Sequence, residues 1–201
     1  VGFQQLPELK ERATDTDPIA KRLDSLPTKN KVVDKNDKNK VTEVINHQSP
    51  LALYNGMIHP ILNYHIKGAI WYQGESNAGA AYKYRTLFPL MISNWRRDFN
   101  QGDFPFYFVQ LAPFTAIKTE PGESNWAELR EAQMLTAKVL PNAGQAVITD
   151  LGHESDIHPT PKKPVGERLS LLARAKTYGE KGEYAGPIFK NYTIDGNQVT
   201  V

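Results

Sequence analysis

The sequence predicts an α/β fold whose parallel sheet is covered by helices on both faces. Two observations carry this expectation. Short apolar, β-rich runs recur along the chain, and each is followed by a longer segment with helical apolar spacing. Strict alternation of the two requires right-handed crossovers, and crossovers bury a sheet from both sides.

The elements follow in chain order. Residues 1–50 read as a helical and loop insertion region. Within it, "TKNKVVDKNDKNK" (Thr28 to Lys40) is nearly all Lys, Asn and Asp. It buries too little apolar surface to offset its ordering entropy, so 28–40 is expected to be a mobile loop. Residues 51–185 form the α/β core. "LALYNGMIHPILNY" has helical spacing until Pro60 interrupts it, and "GAIWYQ" is a buried-strand candidate. "YKYRTLFPLMISNWRRDF" puts Tyr84, Phe88, Met91, Ile92 and Trp95 on one helical face. "FPFYFVQL" is aromatic and strand-like. "NWAELREAQMLTAKVL" reads as a helix capped by Asn125, with acids early and a lysine late. "QAVITD" is the third strand, and "KKPVGERLSLLARAKTYG" a helix ending at a glycine. Residues 186–201 change character: Asp195-Gly196 between β-rich runs signals a hairpin, the start of an accessory β segment.

Composition narrows the function classes. A net charge of +2 with no concentrated basic face argues against nucleic acid as a partner. The absence of cysteine excludes a disulfide framework and thiolate chemistry. No apolar run is long enough for a membrane-spanning helix, so no membrane partner is expected.

Ligands of open parallel sheets bind beyond the carboxyl ends of the strands. Two of those ends are conspicuously polar: Gln73-Gly74-Glu75-Ser76-Asn77, and the stretch from Asp150 to His158. In the second, His153 and His158 are one residue too far apart for the H-E-x-x-H zinc pattern, which leaves a metallohydrolase using His153, Asp156 and His158 as an alternative. The other reading has Asp156 orienting His158, whose free ring nitrogen takes a hydroxyl proton. In the first, Ser76 is a candidate nucleophile; of the small flanking residues that a nucleophile elbow needs, Gly74 satisfies one side and Ala78 the other only loosely. Gln73 can donate its amide N–H to an oxyanion, Gly74 permits close backbone approach, and Glu75 is expected to be buried and hydrogen-bonded.

Four segments, "LYNGMIHPILNYHIKGAIWYQGESNAG", "FPFYFVQLAPF", "WAELREAQ" and "DIHPTPKKPVGERLSLLARAKTYG", resemble successive signatures of the sialate O-acetylesterases, in order from Leu51 to Gly179. The resemblance implies the flavodoxin-like, three-layer α/β/α sandwich of the SGNH hydrolase superfamily. In that family the serine nucleophile lies in a Gly-Gln-Ser-Asn motif upstream of these segments, and this chain has none. The resemblance therefore implies an incomplete catalytic domain, with the nucleophile on a missing N-terminal half and not at Ser76. It makes His158 the catalytic histidine and Gln73 an oxyanion-hole residue, and it puts Arg130 and Gln133 near the pocket, with a structural role in helix packing as the alternative. The family's usual acid, three residues before the histidine, falls on Ser155, whereas Asp156 is two before. The implied chemistry is hydrolysis of O-acetylated sugars, sialic acid foremost, without metal or organic cofactor, in a periplasmic or secreted setting. A catalytically silent or glycan-binding partial domain is the alternative, and a partial sheet with an open edge implies self-association.

Overall fold

The computed structural model describes residues 31–33, 36, 41–43, 49 and 51–201. The chain divides into two units, Val1–His65 with Arg97–Asn100, and Ile66–Arg96 with Gln101–Val201. In the first unit, β1 (Lys31–Val33) pairs antiparallel with β2 (Val41–Glu43). Part of the stretch expected to be a loop is thus a strand; the rest of 28–40, apart from Asn36, lies outside the described residues. The helical spacing after Leu51 is realised as continuous helix over 52–61, α-helical at 52–53, then a π turn, Tyr54–Ile58, and a 3-10 turn, His59–Ile61. Pro60 has no N–H to continue a ladder, and the helical segment ends one residue later, at Ile61.

The second unit holds a three-stranded parallel sheet of β3 (Ala69–Trp71), β4 (Phe106–Val109) and β5 (Ala143–Ala146), in the order β3-β4-β5. The helices are α1 (Ala81–Phe99), α2 (Asn125–Val139) and α3 (Lys162–Lys176). All four β4 residues are buried, as a central strand covered on both faces requires. Its side chains alternate between two packing layers. Phe106 and Phe108 face α1, where Phe88 lies 6.3 and 4.8 Å from them edge-on and Trp95 sits 5.9 Å from Phe106. Tyr107 and Val109 face the opposite way and pack with Leu172 and Val165 of α3. Burying each phenylalanine contributes about 1.5–3 kcal/mol, and an edge-on aromatic pair about 0.5–1.5 more. Tyr84, Phe88 and Ile92 are buried and Met91 and Trp95 half-buried, so the helical face read from the sequence is the one that packs.

Three boundaries differ from expectation. β5 is Ala143–Ala146, not Gln145–Asp150: Gly144 pairs with Tyr107, and a Cβ there would come within 3.3 Å of the Tyr107 ring and 3.4 Å of Leu172. Small residues fit where those two side chains cross the strand, and the β-branched Val147 and Ile148 lie beyond its end. The cap of α2 is Ser124, not Asn125; its extended backbone (φ −150°) lets Oγ accept from the Ala127 N–H at 3.2 Å. α3 stops at Lys176, three residues before Gly179. The expected hairpin is present as β6 (Thr193–Asp195) and β7 (Gln198–Thr200), fully exposed and turning at Gly196-Asn197. Among the described residues no helix is long and apolar enough to cross a membrane.

Candidate active site

Parallel pairing places the carboxyl ends of β3, β4 and β5 on one edge of the sheet. Two residues beyond β3, the side-chain amide of Gln73 is held at both ends. Its Nε2 donates to Asn77 Oδ1 at 2.7 Å, and its Oε1 accepts from the Tyr84 hydroxyl at 3.1 Å. One Nε2 hydrogen remains for another acceptor. The 3-10 turn Glu75–Ala80 brings Asn77 back beneath Gln73, and its first bond runs from Asn77 N–H to Gly74 O at 2.8 Å. Burial, first, and the Glu75 charge push the Tyr84 phenol up to about 12, so it remains a neutral donor. Glu75 itself is half-buried and makes no hydrogen bond among the described residues, contrary to expectation. It acts through its charge, raising Tyr84 and, after burial, Tyr72.

Gly74 has φ 151° and ψ −17°, a region that side chains other than hydrogen disfavour. A Cβ there would meet Leu129 Cδ2 at 2.9 Å and Gln133 Nε2 at 3.3 Å. Gln133 is fully buried. Its Oε1 accepts from the Leu111 N–H at 3.0 Å, while Nε2 donates to Gln73 O and Val109 O, both at 3.3 Å. It therefore clasps the carboxyl ends of β3 and β4 together. Arg130, one turn earlier, donates Nε to Leu111 O at 2.9 Å, and burial lowers its pKa.

The loop after β5 carries the histidines. Arg168 of α3 pins its start, giving two 2.6 Å bonds to the Asp150 carboxylate and one of 2.7 Å to Val147 O. The Asp150 carboxyl is held down at about 2, chiefly by those hydrogen bonds. The loop then crosses the chain beyond β4: Phe114 bridges His153, and Thr115 N–H donates to Glu154 O at 3.1 Å. A Cβ at Gly152 would overlap the Pro113 backbone, so only glycine allows this approach. His153 Nδ1 faces Ser155, within 3.2 Å of both its N–H and its hydroxyl.

His158 is exposed, with Asp156 beside it. Asp156 Oδ1 accepts the His158 backbone N–H at 2.8 Å and stands 3.7 Å from its Nδ1. The carboxylate therefore shapes the turn and lies close to the ring, without a hydrogen bond to it. Four residues later Lys162 places its ammonium 5.1 Å from the Tyr72 ring, which brings the start of α3 to the β3 end of the same edge. His153, Asp156 and His158 do not gather into a metal-holding cluster among the described residues. Ser76 is exposed on the 3-10 turn. Sequence reasoning missed Tyr84 and Asn77 as the groups that fix Gln73; Tyr84 carries only the signal of a core residue on an apolar helical face.

A family model for the sialic acid-specific acetylesterases, a group of carbohydrate esterases, matches residues 40–171, more than half of the chain. Sialate O-acetylesterase from Rattus norvegicus is 37% identical over a match covering 71% of this chain and 29% of that protein. The Homo sapiens sialate O-acetylesterase is 36% identical, covering 68% and 29%. The chain thus spans less than a third of the length of the curated relatives it matches. A crystal structure described as a novel carbohydrate acetylesterase from Xanthomonas citri superposes with a TM-score of 0.69 at 49% identity, covering 76% of this chain and 35% of that one. The α/β architecture, a parallel sheet flanked by helices, is shared with that enzyme, and the chain belongs to the sialic acid-specific acetylesterase family of carbohydrate esterases.

Proposed function

We propose that this chain is part of a serine-type carbohydrate O-acetylesterase that hydrolyses O-acetyl esters of sialic acid. The observation that carries the reading is the Gln73 amide, fixed by Asn77 and Tyr84 at the carboxyl end of β3 with one N–H unspent. A donor held in place before reaction stabilises an oxyanion at no reorganisation cost. His158 supports the same reading, because neither ring nitrogen has a hydrogen-bond partner among the described residues.

The nucleophile is a serine outside these 201 residues, since no Gly-Gln-Ser-Asn motif occurs here. Its Oγ attacks the acetyl carbonyl while His158 takes the hydroxyl proton. Gln73 holds the oxyanion, and the tetrahedral intermediate collapses as His158 returns the proton to the departing sugar oxygen. Water, deprotonated by His158, then cleaves the acyl-enzyme to acetate and free serine. Asp156, beside the ring, stabilises the imidazolium.

The test is His158→Ala in the protein carrying the complete catalytic set, assayed on p-nitrophenyl acetate. The rate is expected to fall by about 10²–10⁴-fold, the range for losing a general base. Retained activity ends the assignment. Activity in the 201-residue chain alone that Ser76→Ala abolishes moves the nucleophile to Ser76.

A further inference from the structure

A groove of about 680 Å³ runs between the segment following β4 and the first turns of α2. That volume suits a monosaccharide, since small-molecule sites typically span about 300–1,000 Å³. Pro113, Phe114 and Thr115 form one wall. Two of them carry contacts to the histidine loop, Phe114 the bridge to His153 and Thr115 the bond to Glu154, so the groove shares this wall with the loop bearing His158. Trp126 lines the groove as a fixed plate: its indole N–H donates to Ala112 O at 2.8 Å, and its ring lies 5.5 Å from that of Phe114.

Arg130 is the unusual member. Its guanidinium is half-buried, anchored through Nε to Leu111 O, and it lines the groove. Among the described residues it has no ion-pair partner, and both terminal nitrogens lack a hydrogen bond. Glu120, Glu123 and Glu128 also border the groove, but all three are exposed, and burial lowers the arginine's pKa. A partly desolvated, uncompensated guanidinium is unfavourable until an anion meets it, and its planar fork suits a carboxylate.

We propose that Arg130 is the acid-sugar selector of this groove, its terminal N–H groups pairing with the carboxylate of a sialic acid whose ring lies on Trp126. This rests on the acetylesterase reading and adds the residue that separates acidic from neutral sugars. A neutral glycan leaves the guanidinium unpaired in the groove; a sialate satisfies it.

Binding of the unacetylated sugar tests the subsite independently of turnover. The chain is titrated with N-acetylneuraminic acid and with its methyl ester, following Trp126 by fluorescence and the ligand by saturation-transfer NMR. The acid is expected to bind about tenfold more tightly or better, the effect of a charged hydrogen bond. Arg130→Gln is expected to equalise the two, and Arg130→Lys, which keeps the charge but not the fork, to retain part of the preference. Equal affinity in the wild-type chain, absence of binding by the acid, or a preference surviving in Arg130→Gln overturns the proposal. The wild-type comparison decides even where a variant fails to fold. Acid preference without aryl acetate hydrolysis by the complete protein removes the esterase reading and keeps the subsite; hydrolysis without acid preference does the reverse.

Discussion

At Gly74 the backbone takes its positive φ between two residues with different tasks, Gln73 presenting an amide and Glu75 opening the 3-10 turn. Gly74→Ala adds a methyl against Leu129 and Gln133 and forces an unfavourable dihedral on an L-residue. It is expected to destabilise the protein by about 1–3 kcal/mol, visible as a lower urea midpoint; an unchanged midpoint contradicts a strained turn. At this scale the sequence was legible for residue type and less so for partnership. Gln73 and His158 stood out because polar groups followed apolar runs. Gln133 reads from the sequence as near the pocket or as a structural residue in helix packing; it is fully buried and ties two strand ends together. An amide offers two donors and an acceptor in either setting, and sequence alone does not say which neighbours receive them.

Among the elements, the segment from β5 to α3 depends most on charge, because Arg168 holds Asp150 and Val147 together. Folding shifts the Asp150 carboxyl down from 3.8 to about 2. The bridge's stabilisation is therefore fully present above pH about 4 and is lost as the pH falls toward 2. Asp150→Asn is expected to unfold at lower urea than the wild type at neutral pH, with the difference vanishing in that acid window. A gap unchanged down to pH about 2 refutes the linkage. Element identities were legible where periodicity ran long, as in α1 with Tyr84, Phe88 and Ile92 buried. β5 was misplaced because Val147 and Ile148 have high β propensity, whereas pairing with β4 selected the small residues Ala143 and Gly144. The cap of α2 slipped by one for a similar reason: Ser124 and Asn125 are both good caps, and only backbone geometry separates them.

For the second unit as a whole, coverage of the sheet is uneven. Trp71 of β3 packs against Trp95 and Phe106, but Ile70 points to the other face and is 71% exposed. α3 packs against β4 and β5, which leaves this apolar side chain on the edge strand in water. We propose that the isolated chain associates through β3, as unpaired edges with apolar faces do. Its sedimentation coefficient is expected to rise with concentration, and Ile70→Lys to suppress the rise. A concentration-independent monomer with Ile70 intact rules this out. The layered architecture was legible at this scale because alternating strands and helices admit few topologies. The open flank of β3 depends on where α3 lands, which no local pattern encodes. The Gln133 clasp carries one more consequence. Since the tether between the first two strand ends involves only uncharged groups, neither added electrolyte nor a change of acidity near neutrality loosens it. The alignment of the Gln73 amide therefore outlasts conditions that dissolve the ion pair after the third strand, and acid between pH about 4 and 2 disturbs the histidine loop first.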